Sequence, residues 1–278
     1  MTRTQLVEQI KLKRSFLCIG LDTDIERIPA YLMDFEDPVF EFNKRIIEAT
    51  ADLCVAYKPN IAFYESRGIA GWRSLQRTCE ILPQNCLSIA DAKRGDIGNT
   101  ADMYAKAFFS KENSGMEFDA ITIAPYMGED SITPFLKYQD KWSIVLALTS
   151  NKGSLDFQFL TDSVDKKLFE HIIEKVNSWG DEEHIMYVVG ATRGEYFKEI
   201  RQLAPHHFLL VPGVGAQGGS LREVCEFGMN EECGLLVNAT RSVIYASNGT
   251  DFAEKAREEA QRLQLEMEEE LLKAGVIA

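Results

Sequence analysis

The 278-residue chain contains no run of about 18 apolar residues, so it offers no candidate membrane-spanning helix. Its first residues, "MTRTQLVEQIKLKRSF", lack the apolar core of an export signal. The six cysteines (18, 54, 79, 86, 225 and 233) include no C-x-x-C pair. Cys18, Cys54 and Cys86 sit inside apolar runs, where cysteine behaves as a small core residue, so buried free thiols are expected rather than a disulfide or metal framework. Basic residues are also in deficit: 30 Lys and Arg against 43 Asp and Glu give a net charge of −13. So negative a surface argues against nucleic acid and anionic membranes as partners, but a few local cations can still grip a phosphorylated small molecule. The four histidines (171, 184, 206 and 207) fall on or beside predicted helices, and none pairs at metal-ligand spacing. Neither a histidine metal site nor a Ser–His nucleophile is expected. No linker, low-complexity stretch or repeat interrupts the chain, which predicts one domain over 1–278 in a cytoplasmic protein. Apolar residues at 45% and charged residues at 26% fit a globular chain with a large buried core.

Eight short apolar runs recur: "FLCIGLD" (16–22), "LCVAYKPN" (53–60), "CLSIADAK" (86–93), "AITIAPY" (120–126), "SIVLALTS" (143–150), "IMYVVGAT" (185–192), "FLLVPGVG" (208–215) and "GLLVNATRS" (234–242). Each is too short for a helix, and their near-continuous hydrophobicity suggests strands buried on both faces of a parallel sheet. Helical spacing marks 38–51, 65–82, 99–109, 128–138, 163–179 and 194–203, with a short helical segment after run seven. An amphipathic helix at about 251–273 carries Phe252, Ala256, Ala260, Leu263, Met267 and Leu271 as one stripe. Strand–helix alternation through eight units predicts a closed (β/α)8 TIM barrel rather than an open doubly wound sheet.

Such barrels place their active sites at the C-terminal ends of the strands, and those ends are polar here. Run one ends in Asp22, run two in Lys58 and Asn60, and run three in Asp91 and Lys93. Run five ends in Thr149, Ser150 and Asn151, and run eight in Asn238, Thr240 and Arg241. Asp91 and Lys93, two apart on a strand, project to one side. With Lys58 from the neighbouring strand and Asp96 beyond Gly95 they form an alternating Lys–Asp–Lys–Asp array. Carboxylate neighbours hold a partly desolvated lysine as an ammonium, poised to give a proton rather than to attack as an amine. A plainer reading makes the same residues a strand-end salt bridge, with Asp96 capping the next helix. In "VPGVGAQGGSL" the glycines at 213, 215, 218 and 219 let backbone N–H groups approach an anion, and Arg241 on the next strand could grip a phosphate bidentately. "APYMGEDSITPF" (124–135) reads as a proline-shaped turn.

"DAKRGDIGNT" resembles the D-x-K-x-x-D signature of the orotidine 5′-phosphate decarboxylase family, and "TSNKG", "PGVGAQGG" and "ATRSVIYAS" resemble its longer bacterial-type branch. The resemblance runs from Asp22 to Ser247. It implies conversion of orotidine 5′-monophosphate (OMP) to UMP and CO2 in pyrimidine synthesis, without metal or cofactor. It places Lys93, Asp91 and Lys58 in the catalytic charge network, with Lys93 as proton donor to C6. Asp96, with Ile97 and Thr100, would reach into the partner subunit's site, making a homodimer necessary. Asp22 matches the ribose position, Asn60 a ribose-side contact and Ser150 the pyrimidine contact. Gln217 and Arg241 match the phosphate grip, with Gly215 and Gly218 offering backbone. Lys152 stands where this branch is expected to carry proline, which bears on the loop's conformation. The alternatives are a magnesium-dependent phosphosugar decarboxylase or aldolase, a Schiff-base aldolase using Lys93, and a non-catalytic phosphate-binding barrel.

Overall fold

The aliphatic runs form eight parallel strands in a computed structural model that describes residues 1–214 and 219–278. They are β1 (Leu17–Leu21), β2 (Ala56–Pro59), β3 (Leu87–Arg94), β4 (Ala120–Ile123), β5 (Trp142–Leu148), β6 (Ile185–Val189), β7 (Phe208–Pro212) and β8 (Leu235–Ala239). Each strand pairs with the next, and β1 pairs with β8 through Leu17 and Val237, closing the barrel. Closure satisfies every strand edge, which is why runs so uniformly apolar can be buried on both faces.

The outer layer begins with α1 (Arg3–Lys13), α2 (Pro38–Thr50), α3 (Ile61–Glu65), α4 (Gly68–Glu80) and α5 (Gly98–Phe109). It continues with α6 (Lys111–Ser114), α7 (Thr133–Leu136), α8 (Leu168–Asn177), α9 (Phe197–Leu203), α10 (Leu221–Gly228), α11 (Arg241–Ile244) and α12 (Phe252–Lys273). The stripe expected on 251–273 is buried as predicted, from Phe252 to Leu271. Phe42 of α2 stacks on Phe252 with ring centroids 4.8 Å apart, joining the first and last crossover layers.

Several expectations need correction. The helix expected over 65–82 is two, because Gly68, the first residue of α4, adopts φ +60, a left-handed conformation that separates it from α3. The segment 128–138 holds only a 3-10 turn and one helical turn at Pro134, and the helix expected over 163–179 narrows to Leu168–Asn177. Asp96 does not cap α5. The capping position is Ile97, and Asp96 Oδ1 accepts the adjacent Ile97 N–H at 2.8 Å.

Helix α1 was not predicted, since only Leu6, Val7 and Ile10 give it an apolar side; a Thr2–Gln5 capping box starts it. It seals the N-terminal end of the barrel. Arg3 donates to Glu232 and to the carbonyls of Glu182 and His206, and Lys13 donates to the carbonyls of Ala51, Cys54 and Asn85. Gln264 of α12 donates to the carbonyls of Lys13 and Arg14, so α1 and α12 brace each other.

At the same end His207 is buried against Tyr187, and neither ring nitrogen has a hydrogen-bond partner among the described residues. Burial, with Arg3 and Arg201 nearby, pulls its pKa down to about 4. The folded state therefore favours neutral imidazole, and its stability falls as pH drops from the unfolded value near 6.5 towards about 4. Melting temperatures of wild type and His207→Phe between pH 7 and 5 test this: the wild type should lose more over that interval, and parallel losses would contradict it.

Candidate active site

The C-terminal strand ends surround a cavity of about 480 Å3, a size suited to a nucleotide-scale ligand. Its floor is built on a buried ion pair. Lys58, on β2 and 4% exposed, donates to Asp91 Oδ2 at 2.7 Å. Asp91, on β3 and 8% exposed, also accepts from Lys93 Nζ on Oδ1 at 2.6 Å. The expected Lys58–Asp91–Lys93 alternation is therefore formed by direct contacts.

Local backbone makes this possible. Against β4, Ala90 pairs with Ile121 but Arg94 pairs with Ile123, so β3 bulges between them. Lys93 sits in the bulge at φ +47, a conformation costly for a side chain bearing Cβ. Thr122 of β4 holds it there: its hydroxyl accepts the Lys93 N–H at 2.9 Å and donates to Asp91 Oδ1 at 3.1 Å. Thr122 was not singled out from the sequence, because within "AITIAPY" it looks like one more β-branched strand residue.

The charge states follow. Burial alone would raise the Asp91 carboxyl, but Lys58 and Lys93 outweigh it and hold the group well below the usual carboxylate range. Burial alone would lower Lys58, but Asp91 and Asp22 outweigh it and push the ammonium above its ordinary value. Lys93 has half its side chain open to solvent. Asp22 lines the cavity, and burial raises its carboxyl in spite of Lys58. Its Oδ2 accepts from Asn60 Nδ2 at 3.4 Å, while its buried Oδ1 has no partner among the described residues.

Arg241 heads α11 and lines the cavity with Gly213 and Val214. Asn238 and Thr240 line the same cavity, and Asn238 Nδ2 donates to Thr240 Oγ1 at 3.1 Å. Gly20 makes room for this wall, since a Cβ there would fall 2.0 Å from Thr240 Oγ1. Tyr245 closes the rim: its hydroxyl donates to the Asp22 carbonyl and accepts the Asp24 N–H. The Gly215, Gln217 and Gly218 expectations lie outside the described residues. Asn60 caps α3 and reaches Asp22 but not the cavity wall. Ser150 lies at the end of β5, where the absence of a Cβ on Gly190 allows close approach; one would meet the Ser150 nitrogen at 2.6 Å. Lys152 opens an exposed 3-10 turn, Lys152–Asp156. Asp96, Ile97 and Thr100 are on the rim beyond the bulge and do not line this cavity.

Together the fold and site define a (β/α)8-barrel protein with an ammonium–carboxylate–ammonium centre beside a cationic pocket wall. Residues 15–256 match the model of the orotidine 5′-phosphate decarboxylase / HUMPS family. The chain is 56% identical over 271 residues to an orotidine 5′-phosphate decarboxylase of Phocaeicola vulgatus, covering 96% of this chain and 98% of that protein. It is 58% identical over 272 residues to the one of Flavobacterium johnsoniae, covering 97% and 98%. The structure of Leishmania donovani OMP decarboxylase superposes with a TM-score of 0.78 at 37% identity, covering 95% of this chain and all of that one. The chain belongs to the orotidine 5′-phosphate decarboxylase / HUMPS family.

The buried pair can be dissected by a double-mutant cycle in urea unfolding. Asp91→Leu alone strands the Lys58 ammonium and should cost roughly 3–5 kcal/mol, whereas Lys58→Met with Asp91→Leu should recover most of that loss. Additive losses would show that the two groups do not depend on each other.

Proposed function

We infer that this protein decarboxylates OMP to UMP and CO2, a carbon–carbon lyase step in pyrimidine nucleotide synthesis. The observation that carries the reading is Lys93: a half-exposed ammonium fixed 2.6 Å from Asp91, a buried, ionised carboxylate that itself lines the cavity. Breaking the bond between C6 and the carboxylate leaves an electron pair on a carbon with little resonance relief. The site must favour negative charge there and then supply a proton. Lys93 answers both needs, donating one N–H proton to C6 as CO2 departs and regaining it from solvent through its exposed side. Asp91 pairs with the Lys93 charge and orients its Nζ. Lys58 keeps Asp91 ionised and is itself too enclosed to exchange protons readily.

Around this centre, Asp22 and Asn60 would hold the ribose hydroxyls, Ser150 the pyrimidine, and Arg241 with Gln217 and the Gly215 and Gly218 backbone the phosphate. We assign the protein to the cytoplasm and treat residues 1–278 as one domain. No helix among the described residues is long and apolar enough to cross a membrane.

A homodimer is part of the same reading. Asp96, Ile97 and Thr100 follow the β3 bulge and do not line their own cavity, which leaves them available to a neighbour's site. Exposed apolar side chains collect on the segments that follow three adjacent strands: Ile69 and Trp72 after β2, Ile97 and Met103 after β3, Tyr126 and Met127 after β4. A second copy of the chain would cover them.

The magnesium-dependent phosphosugar reading is disfavoured by Lys58, whose ammonium occupies Asp91 Oδ2 and would repel a divalent cation. A Schiff base at Lys93 needs a neutral amine, which Asp91 opposes. A purely binding barrel has no use for a strained bulge holding an ammonium.

Purified protein in EDTA should consume the OMP absorbance; turnover only after adding magnesium would favour the phosphosugar branch. Lys93→Ala should lower kcat on the order of a thousandfold while UMP binding changes far less. Mixing Lys93→Ala with Asp96→Ala subunits should restore part of the activity, and a verified heterodimer without recovery would contradict shared sites.

A further inference from the structure

We propose that Arg27 is a second phosphate-binding residue, acting together with Arg241, so that the substrate's phosphate meets two guanidinium groups; this rests on the decarboxylase reading above. Arg27 lies in the turn after β1, where its N–H donates to the Asp24 carbonyl at 3.0 Å. It lines the same cavity as Arg241, Gly213 and Val214, yet comes from the opposite end of the chain.

Its position is fixed by the short element that carries Arg241. Tyr245 immediately follows α11, its N–H donating to the Arg241 carbonyl at 3.3 Å. The Arg27 guanidinium carbon lies 4.0 Å from the centre of the Tyr245 ring. That ring is itself pinned, because its hydroxyl bonds both the Asp22 carbonyl and the Asp24 N–H. One four-residue helix and its following tyrosine therefore set both cations: Arg241 directly, and Arg27 through a stacking platform.

Stacking consumes the face of a guanidinium and leaves its N–H donors, which lie in the plane, free to point sideways. Among the described residues neither Arg27 nor Arg241 forms an ion pair, although the protein has an excess of acids and most of its other arginines are paired. A phosphate monoester is close to a dianion at neutral pH. Arg241 alone would leave one negative charge uncompensated in a cavity that also carries the Asp22 and Asp24 carboxylates. A second guanidinium supplies the missing charge and two more donors of the geometry phosphate oxygens accept.

The platform also gives the arrangement a consequence beyond affinity. Tyr245 ties the phosphate end to the backbone of Asp22, the carboxylate nearest Lys58 on the β1 side. A phosphate drawing in Arg27 would press on the same ring that holds the Asp22 loop.

The test compares inhibition by UMP and by uridine, which differ only in the phosphate, with KM and kcat for OMP, in wild type, Arg27→Ala and Arg27→Lys. Arg27→Ala should weaken UMP about tenfold or more while uridine changes less than about twofold, KM should rise in parallel with little change in kcat, and Arg27→Lys should fall between. Equal weakening of UMP and uridine would make Arg27 only a brace for its turn, and unchanged UMP inhibition would remove it from the site; either overturns the inference while the decarboxylase reading stands. Absence of OMP turnover by the wild type would overturn both.

Discussion

A lysine buried inside the barrel is the constraint on which this site depends. Lys58 can remain an ammonium at 4% exposure only because Asp91 lies 2.7 Å away, with Asp22 adding to the field. Asp91 in turn must stay ionised, and it does so by taking hydrogen bonds from Lys58, Lys93 and Thr122. Lys93 can reach Asp91 because β3 bulges, and the bulge persists because Thr122 accepts the Lys93 N–H. Removing any member leaves another charged or strained group without its compensation. Such a set is expensive to maintain as decoration and makes sense as a preorganised field at the point where charge develops in a reaction.

The two ends of the barrel divide the work. At the N-terminal end α1 and α12 close over the strand starts, with Arg3, Lys13 and Gln264 satisfying carbonyls from several loops. Arg201 does the same between the chain's last crossovers, donating to the carbonyls of Ala204, His207, Gly228 and Gly234. With that end tied down, the C-terminal end can carry strain, buried charge and the unsatisfied Asp22 oxygen. Tyr245 then couples the two sides of the cavity, linking the helix headed by Arg241 to the Asp22 backbone.

Much of this was legible in the sequence, and the reasons are physical. The eight-strand barrel followed from short aliphatic runs alternating with helical spacing, because a strand buried on both faces has little choice of residue. The Lys58–Asp91–Lys93 core followed from charge at strand ends, where a barrel gathers its polar groups. Thr122 was illegible because a β-branched hydroxyl residue satisfies strand packing and hydrogen bonding at once, and composition cannot separate the two. The role of Tyr245 was hidden for another reason: its partner backbone at Asp22 and Asp24 is more than 220 residues away. Helix α1 escaped because its apolar stripe is three residues wide, and tertiary contacts through Arg3 and Lys13 hold it in place. The plainer alternative for Asp96, a helix cap after a glycine turn, fails because Ile97 takes the capping position in extended backbone and α5 begins at Gly98.

The central claim is that Asp91 is permanently ionised between two ammonium groups, and carboxyl 13C chemical shifts followed through a pH titration test it most directly. The account predicts that the Asp91 resonance stays flat from neutral pH down through pH 4 while exposed aspartates begin to titrate, since Lys58 and Lys93 hold its pKa well below the ordinary aspartate value of 3.8. An Asp91 that takes up its proton at or above that ordinary value would contradict the account, because a neutral acid there could neither keep Lys58 charged nor present Lys93 as the proton donor.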